Sequence, residues 1–178
     1  MAEPRSQDAM HTFSLVTRDH PGVLVRIALV FARRGYNIES LAVSPGATGG
    51  FARMTIVTRG QTENVEQMSK QLQKLVDVVF VTDHRGEDPV EAEVALFKLR
   101  CHGEVRKRVV SVAERHGAEV AGDGPDRVIL TIHGTSAALD ALRAELPQEN
   151  LEELVRSGKI VIDRGASHFA HLLGGRSR

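Results

Sequence analysis

The chain has 178 residues, 42% of them apolar, enough to bury a core in one ordinary domain or two small ones. Its 23 Lys plus Arg stand against 23 Asp plus Glu, a formal charge of zero, so the basic footprint that draws a protein onto phosphates or anionic lipid is missing. Met1 to Met10 contain no apolar leader and no stretch nears the ~20 apolar residues of a membrane span, so a cytoplasmic protein with small-molecule or protein partners is expected.

From Thr12 to Thr17 the side chains alternate, Phe13 and Leu15 against Thr12 and Ser14, the period of a half-buried strand. Asp19, His20 and Pro21 have the form of an N-cap followed by a proline in the first turn. Val23, Leu24, Ile27, Ala28 and Phe31 then recur at helical spacing, with Arg26, Arg33 and Arg34 on the wet face. Gly35 can take the left-handed conformation that ends such a helix. A second strand is expected over 37–43, a turn over 45–50, and a third strand in which Ala52, Met54 and Ile56 alternate with Arg53, Thr55 and Val57. A helix from about Thr62 places Val65, Met68, Leu72 and Leu75 on one face, and the run Val78 to Val81 closes a βαββαβ unit.

After a polar link over 83–89 the same order returns. Ala95, Phe97 and Leu99 mark a strand, and a helix over 104–116 turns Val105, Val109, Val112 and Ala113 inward before Gly117 ends it. Two strands flank Gly122 to Asp126, Thr135 or Ser136 can cap a helix carrying Ala138, Leu139, Leu142 and Leu146, and 159–163 supplies a last strand. The lone Cys101 sits in an apolar run and reads as a buried thiol. The expected fold is α+β: two ferredoxin-like βαββαβ domains, over 11–84 and 90–165, each an antiparallel sheet with helices on one face, followed by a flexible tail over 166–178. The other sheet face or the sheet edge is left for pairing.

Several motifs that could carry chemistry have plainer readings. Gly122, Asp123 and Gly124 followed by Asn150 imitate the element that holds a magnesium diphosphate in thiamine-diphosphate enzymes, but Leu151 stands where a second Asn is needed. A hairpin turn using the positive φ open to Gly and Asp accounts for them. Gly50, Phe51 and Ala52 imitate an RNA-recognition strand, yet Arg53 and Ile56 replace the stacking aromatics, so an RNA-binding module is only an alternative. Of eight histidines only His168 and His171 are closely spaced, and no metal site is expected. No nucleophile elbow and no phosphate-binding loop is present, so no catalytic residues are expected.

Asp19, His20, Pro21, Gly22, Val23 and Leu24 join a strand end to a helix start whose free N–H groups carry positive partial charge. A ligand carboxylate suits that position, Gly22 lets it approach the backbone, and Asp19 can accept from an α-ammonium. A zwitterionic amino acid meets both demands; an ordinary helix start does so with fewer assumptions.

Asp-His-Pro-Gly-Val-Leu at 19–24, Arg-Arg-Gly-Tyr-Asn-Ile-Glu-Ser-Leu at 33–41, Arg-Met-Thr-Ile-Val-Thr at 53–58 and Lys-Gln-Leu-Gln-Lys-Leu-Val-Asp-Val at 70–78 together resemble acetolactate synthase small subunits. The likeness returns at Val155 to Gly158 and at Asp163 to Gly165, where Asp163 departs from the family's serine. It implies an N-terminal ACT domain, a second ferredoxin-like domain, and a homodimer with ACT sheets side by side. It further implies an effector site for valine or a related branched-chain amino acid, built from the 19–24 loop of one chain and Asn37 with Ile38 of the other. Many members carry Asn at the position of Asp19. The implied role is a non-catalytic regulatory subunit that activates the catalytic large subunit and confers feedback inhibition. Thiamine diphosphate, magnesium and FAD would belong to that partner, and this chain would need no cofactor. A free-standing ACT sensor of another protein is the nearest alternative.

Overall fold

In a computed structural model of the chain, residues 9–165 are described, apart from the side chains of 62–65. Expectations for the tail over 166–178, including His168 and His171, lie outside the described residues. The chain divides into two units, one made of the residues up to Val90 together with those from Ile160 onward, the other of Glu91–Lys159.

The first unit runs β1 (Ala9–Arg18), α1 (Val23–Arg33), β2 (Ile38–Pro45), β3 (Phe51–Gly60), α2 (Thr62–Leu72), β4 (Val78–Asp83), with a short β9 (Ile160–Ile162) joining it from the end of the chain. The four main strands lie in the order β2-β3-β1-β4 with every neighbouring pair antiparallel, so β2 is an edge. Phe13 and Leu15 of β1 and Met54 and Ile56 of β3 meet Val23, Ile27 and Phe31 of α1 and Met68 and Leu72 of α2 in one core. The rings of Phe13 and Phe31 pack edge to face, 6.2 Å between centroids, an arrangement that aromatic quadrupoles favour. Gly35, at φ 72°, ends α1 as its position predicts, its N–H donating to Ala32 O at 3.1 Å.

Of the two surfaces expected to be left for pairing, the sheet edge and the opposite sheet face, the face is covered at its centre. Ser14, Val16, Thr55 and Val57 are all buried. Part of the cover is the returning segment: Val161 is 5% exposed, and Arg53 Nη2 donates to its carbonyl at 3.3 Å. Strict alternation in β3 therefore separates two buried faces rather than core from solvent.

The second unit runs β5 (Val90–Arg100), α3 (Gly103–Arg115), β6 (Glu119–Asp123), β7 (Arg127–Gly134), α4 (Ser136–Glu145), a single 3-10 turn (Gln148–Asn150) and β8 (Leu151–Arg156). Its strands lie in the order β6-β7-β5-β8, again antiparallel. Ala95, Phe97, Leu99 and Cys101 pack with Val109, Val112, Leu130, Leu139 and Leu142. Thr135 is the cap of α4, accepting from Ala138 N–H at 3.2 Å. Burial pushes the Cys101 thiol up, as suits an inert core cysteine.

One expectation fails here and one element was not foreseen. Val105 is exposed, because α3 presents only its later turns to the sheet. The strand expected over 159–163 forms as β9, and the sequence reading missed β8, since Leu151–Arg156 also pairs along β5. Among the described residues no helix is long and apolar enough to cross a membrane.

Candidate functional site

The helix expected to be capped by Asp19 starts later. Gly22, at φ 88° and ψ −10°, is the residue before α1, and no side chain caps the helix. The left-handed turn at Gly22 swings the chain past Pro21 so that helical bonding begins with Arg26 N–H to Gly22 O at 3.2 Å. Val23 N–H donates to His20 O at 3.5 Å, and no side chain takes up the first-turn N–H groups that follow it. Beside Gly22, where other residues carry a Cβ, only the end of the Arg26 side chain comes close, at 3.3 Å from an ideal Cβ position.

The loop is held from two sides. Asp19 N–H donates to Gly50 O at 2.9 Å, tying it to the turn between β2 and β3, while the Asp19 carboxylate stays exposed without a partner among the described residues. Below the loop lies Asp77, 5% exposed, just ahead of β4. Its Oδ1 is 2.8 Å from His20 Nε2, and its Oδ2 accepts from Arg26 Nε at 2.9 Å and from Arg26 Nη2. Burial alone would raise the Asp77 carboxyl, but the hydrogen bonds from Arg26 and His20 outweigh it and hold it below the usual carboxylate range. Neither Asp77 nor the partnership of Arg26 was visible in the sequence. A lone Asp between Val76 and Val78 was the available signal, but its partner His20 lies 57 residues away.

Of the residues singled out from the sequence, Asp19, His20, Pro21, Gly22 and Leu24 are exposed together at the end of β1. Val23 is 3% exposed and belongs to the core, so only its backbone faces the loop. Asn37 and Ile38 are elsewhere. They stand at the entrance to β2, past the far end of α1, whose 11 residues span about 16 Å at ~1.5 Å per residue. The Asn37 amide is exposed and touches only Glu39 Oε1, at 3.4 Å, while its carbonyl accepts from Thr58 Oγ1 at 2.6 Å. One amino-acid ligand cannot bridge both halves within a single chain. Leu24, Val25 and Leu29 of α1 and Val43 of β2 form exposed apolar surface between and beside them.

The imitation of a diphosphate site proves to be a hairpin, but without the positive φ expected of Gly122 and Gly124. Gly124 N–H donates to Arg127 O at 2.9 Å across a turn that needs no left-handed residue, and Asp123 is taken up by Arg106.

The family model described as "AHAS small subunit-like ACT domain" matches residues 13–80, and that described as "Small subunit of acetolactate synthase" matches 92–165. The acetolactate synthase small subunit of Mycobacterium bovis is 36% identical over 155 residues, covering 87% of this chain and 92% of the relative. The chain belongs to the acetolactate synthase small-subunit family. It is a small regulatory subunit and not a catalytic chain, with an ACT domain in its first unit. A probable acetolactate synthase small subunit of Methanothermobacter thermautotrophicus is 34% identical over 157 residues, covering 88% of this chain and 94% of that one. The crystal structure of the acetolactate synthase small subunit from Thermotoga maritima superposes with a TM-score of 0.79 at 33% identity, covering 89% of this chain and 99% of that one. The likeness thus spans both units of the small subunit and not the ACT domain alone.

Proposed function

We propose that this subunit binds the catalytic large subunit of acetolactate synthase, raises its activity, and makes it answer to a branched-chain amino acid, valine first among them. The effector's carboxylate sits against the uncapped start of α1 at Gly22, and its ammonium is met by Asp19. Asn37 and Ile38 come from a second copy. The observation that carries this reading is the separation of the two half-sites by the length of α1.

A two-fold dimer that joins β2 edges sets the two α1 helices side by side and antiparallel. The start of one helix then lies near the end of the other, so each 19–24 loop faces the neighbour's Asn37. Leu24, Val25, Leu29 and Val43 supply apolar surface for such a joint. Two equivalent sites result. Binding there inhibits only through an affinity difference between two arrangements of the dimer, since a ligand that prefers neither shifts nothing. A site assembled from two chains gains that difference from any small slide of one ACT domain past the other. The work is cytoplasmic, and thiamine diphosphate and FAD remain with the catalytic partner.

The test is reconstitution. Acetolactate formation by the cognate catalytic subunit is measured alone, with this chain, and with this chain plus valine. The expected result is a rise on mixing and a fall on adding valine. Unchanged turnover, with both proteins folded and mixed in excess, rejects the regulatory reading; a rise that no branched-chain amino acid reverses rejects the effector half of it.

A further inference from the structure

His84 lies just beyond β4 with its side chain 2% exposed. Its ring is fixed at both nitrogens. Nε2 is 2.8 Å from Ser14 Oγ of β1, and Nδ1 is 3.1 Å from Glu87 Oε2 and 3.2 Å from Asp163 Oδ1. The three donor atoms lie within 4.8 Å of one another. Glu87 and Asp163 open onto a cleft of about 700 Å³ that they line with Phe80, Asp83 and Asp88.

The charge at this point does not balance. Two carboxylates converge on one imidazole, so even a protonated ring leaves one negative charge over. The basic side chains nearby are engaged with other acids: Arg85 Nε donates to Asp83 Oδ2 at 2.6 Å and Arg164 Nε to Asp88 Oδ2 at 3.1 Å. Among the described residues the side chains of Glu87 and Asp163 have His84 alone as partner.

We propose that His84 Nδ1, Glu87 and Asp163 form a binding site for one divalent metal ion of the zinc class. Imidazole nitrogen and carboxylate oxygen together suit zinc and its first-row neighbours. Ligand bonds of roughly 2.0 to 2.2 Å set at tetrahedral or near-octahedral angles place neighbouring donor atoms about 3.0 to 3.5 Å apart. The two nitrogen-to-oxygen distances at His84 fall in that range. On binding, the metal takes the Nδ1 lone pair, the ring proton resides on Nε2 and is donated to Ser14 Oγ, and the charge of the two carboxylates is cancelled. The hydrogen bond to Ser14 is the outer contact that metal-bound histidines ordinarily make through their second nitrogen. Water from the cleft fills the remaining positions. The bound ion fastens the segment after β9 to the end of β4. This revises the expectation of no metal, which looked for ligands close in sequence, whereas His84 and Asp163 meet only in the fold.

The site stands apart from the effector loop and is tested without activity. Metal-stripped full-length protein is titrated with zinc chloride by calorimetry, and its melting temperature is followed with and without zinc. One ion per chain and a raised melting temperature are expected. Asp163→Asn and Glu87→Gln alter exposed side chains, so the fold should tolerate them, and each should weaken zinc binding at least tenfold. His84→Asn should abolish it. Absence of saturable binding at millimolar zinc overturns the proposal. So does zinc affinity unchanged in both carboxylate variants, the result expected if the ion were held elsewhere.

Discussion

His20 and Asp77, 57 residues apart in sequence, meet at 2.8 Å beneath the loop that opens α1. Arg26 reaches the other oxygen of the same carboxylate at 2.9 Å. One buried acid therefore sets both the loop and the first turn of the helix in place. An Asp whose carboxyl is held below its ordinary value stabilises the fold above that value and loses the contribution as pH falls through the lowered one.

Urea unfolding followed from neutral pH down past the ordinary carboxylate value of 3.8 should thus show wild-type stability falling as Asp77 takes up its proton. In Asp77→Asn that part of the pH slope should be missing, and effector affinity should fall because the loop has lost its support. Equal slopes in the two proteins would mean that Asp77 does not couple folding to pH.

Gly22→Asp is expected to abolish feedback inhibition by placing a carboxylate where the ligand's carboxylate belongs. The φ of 88° adds a second effect, since any side chain held in the left-handed region costs roughly 1 to 2 kcal/mol. Gly22→Ala isolates it. The alanine variant should show the same loss of stability in denaturant titration but keep most of its response to valine. Equal loss of response in both would assign the effect to backbone strain.

Asn37→Ala should leave folding unchanged, since the exposed amide touches only Glu39, yet should weaken effector binding. Losing a polar contact to a charged ligand costs about 1.5 to 3 kcal/mol, or roughly ten- to a hundred-fold in affinity. Dimers pairing an Asn37→Ala chain with a Gly22→Asp chain place both lesions in one composite pocket and spare the other. Titration of purified mixed dimers should give near-normal affinity at half the stoichiometry. No residual tight binding would mean that each site is built within one chain.

In the second unit Glu93, with its side chain 5% exposed, accepts from Arg156 Nε at 2.9 Å, from Arg156 Nη2 at 2.6 Å and from Ser136 Oγ at 2.9 Å. Burial works to raise the Glu93 carboxyl, and the bonds from Arg156 and Ser136 override it and keep it ionised. Glu93→Gln leaves Asp140, which accepts from Arg156 Nη1 at 2.6 Å, as the charged partner of the guanidinium and should cost about 2 kcal/mol in chemical denaturation, as for other lost hydrogen bonds between charged groups. Double substitution of Glu93 and Arg156 by apolar residues should recover much of the loss.

The order of strands and helices was legible because short-range periodicity records it. Phe13 and Leu15, Ile27 and Phe31, and Phe97 and Leu99 all face the cores that their spacing assigns them. The start of α1 was misread because Asp19 and Pro21 fit a helix start as well as Gly22 does, and only the backbone angle at Gly22 separates the two. What covers Ser14 and Val57 was hidden for a different reason. Part of the cover comes from β9, which was legible as a strand, but no local pattern shows that its Val161 carbonyl accepts from Arg53, more than a hundred positions earlier. The site residues were legible as types, whereas the supports, Asp77 under His20 and Ser14 behind His84, exist only through long-range pairing.

That late-arriving β9 also fixes an order of events in synthesis. The second unit is contiguous, but the first is interrupted by it and lacks Val161 and Asp163 until the whole of Glu91–Lys159 has been made. Although its first strand is made first, the unit that holds the ACT domain is therefore completed only after Glu91–Lys159, and a nascent chain stalled before Ile160 would carry an ACT sheet in which Arg53 lacks the Val161 carbonyl and His84 lacks Asp163.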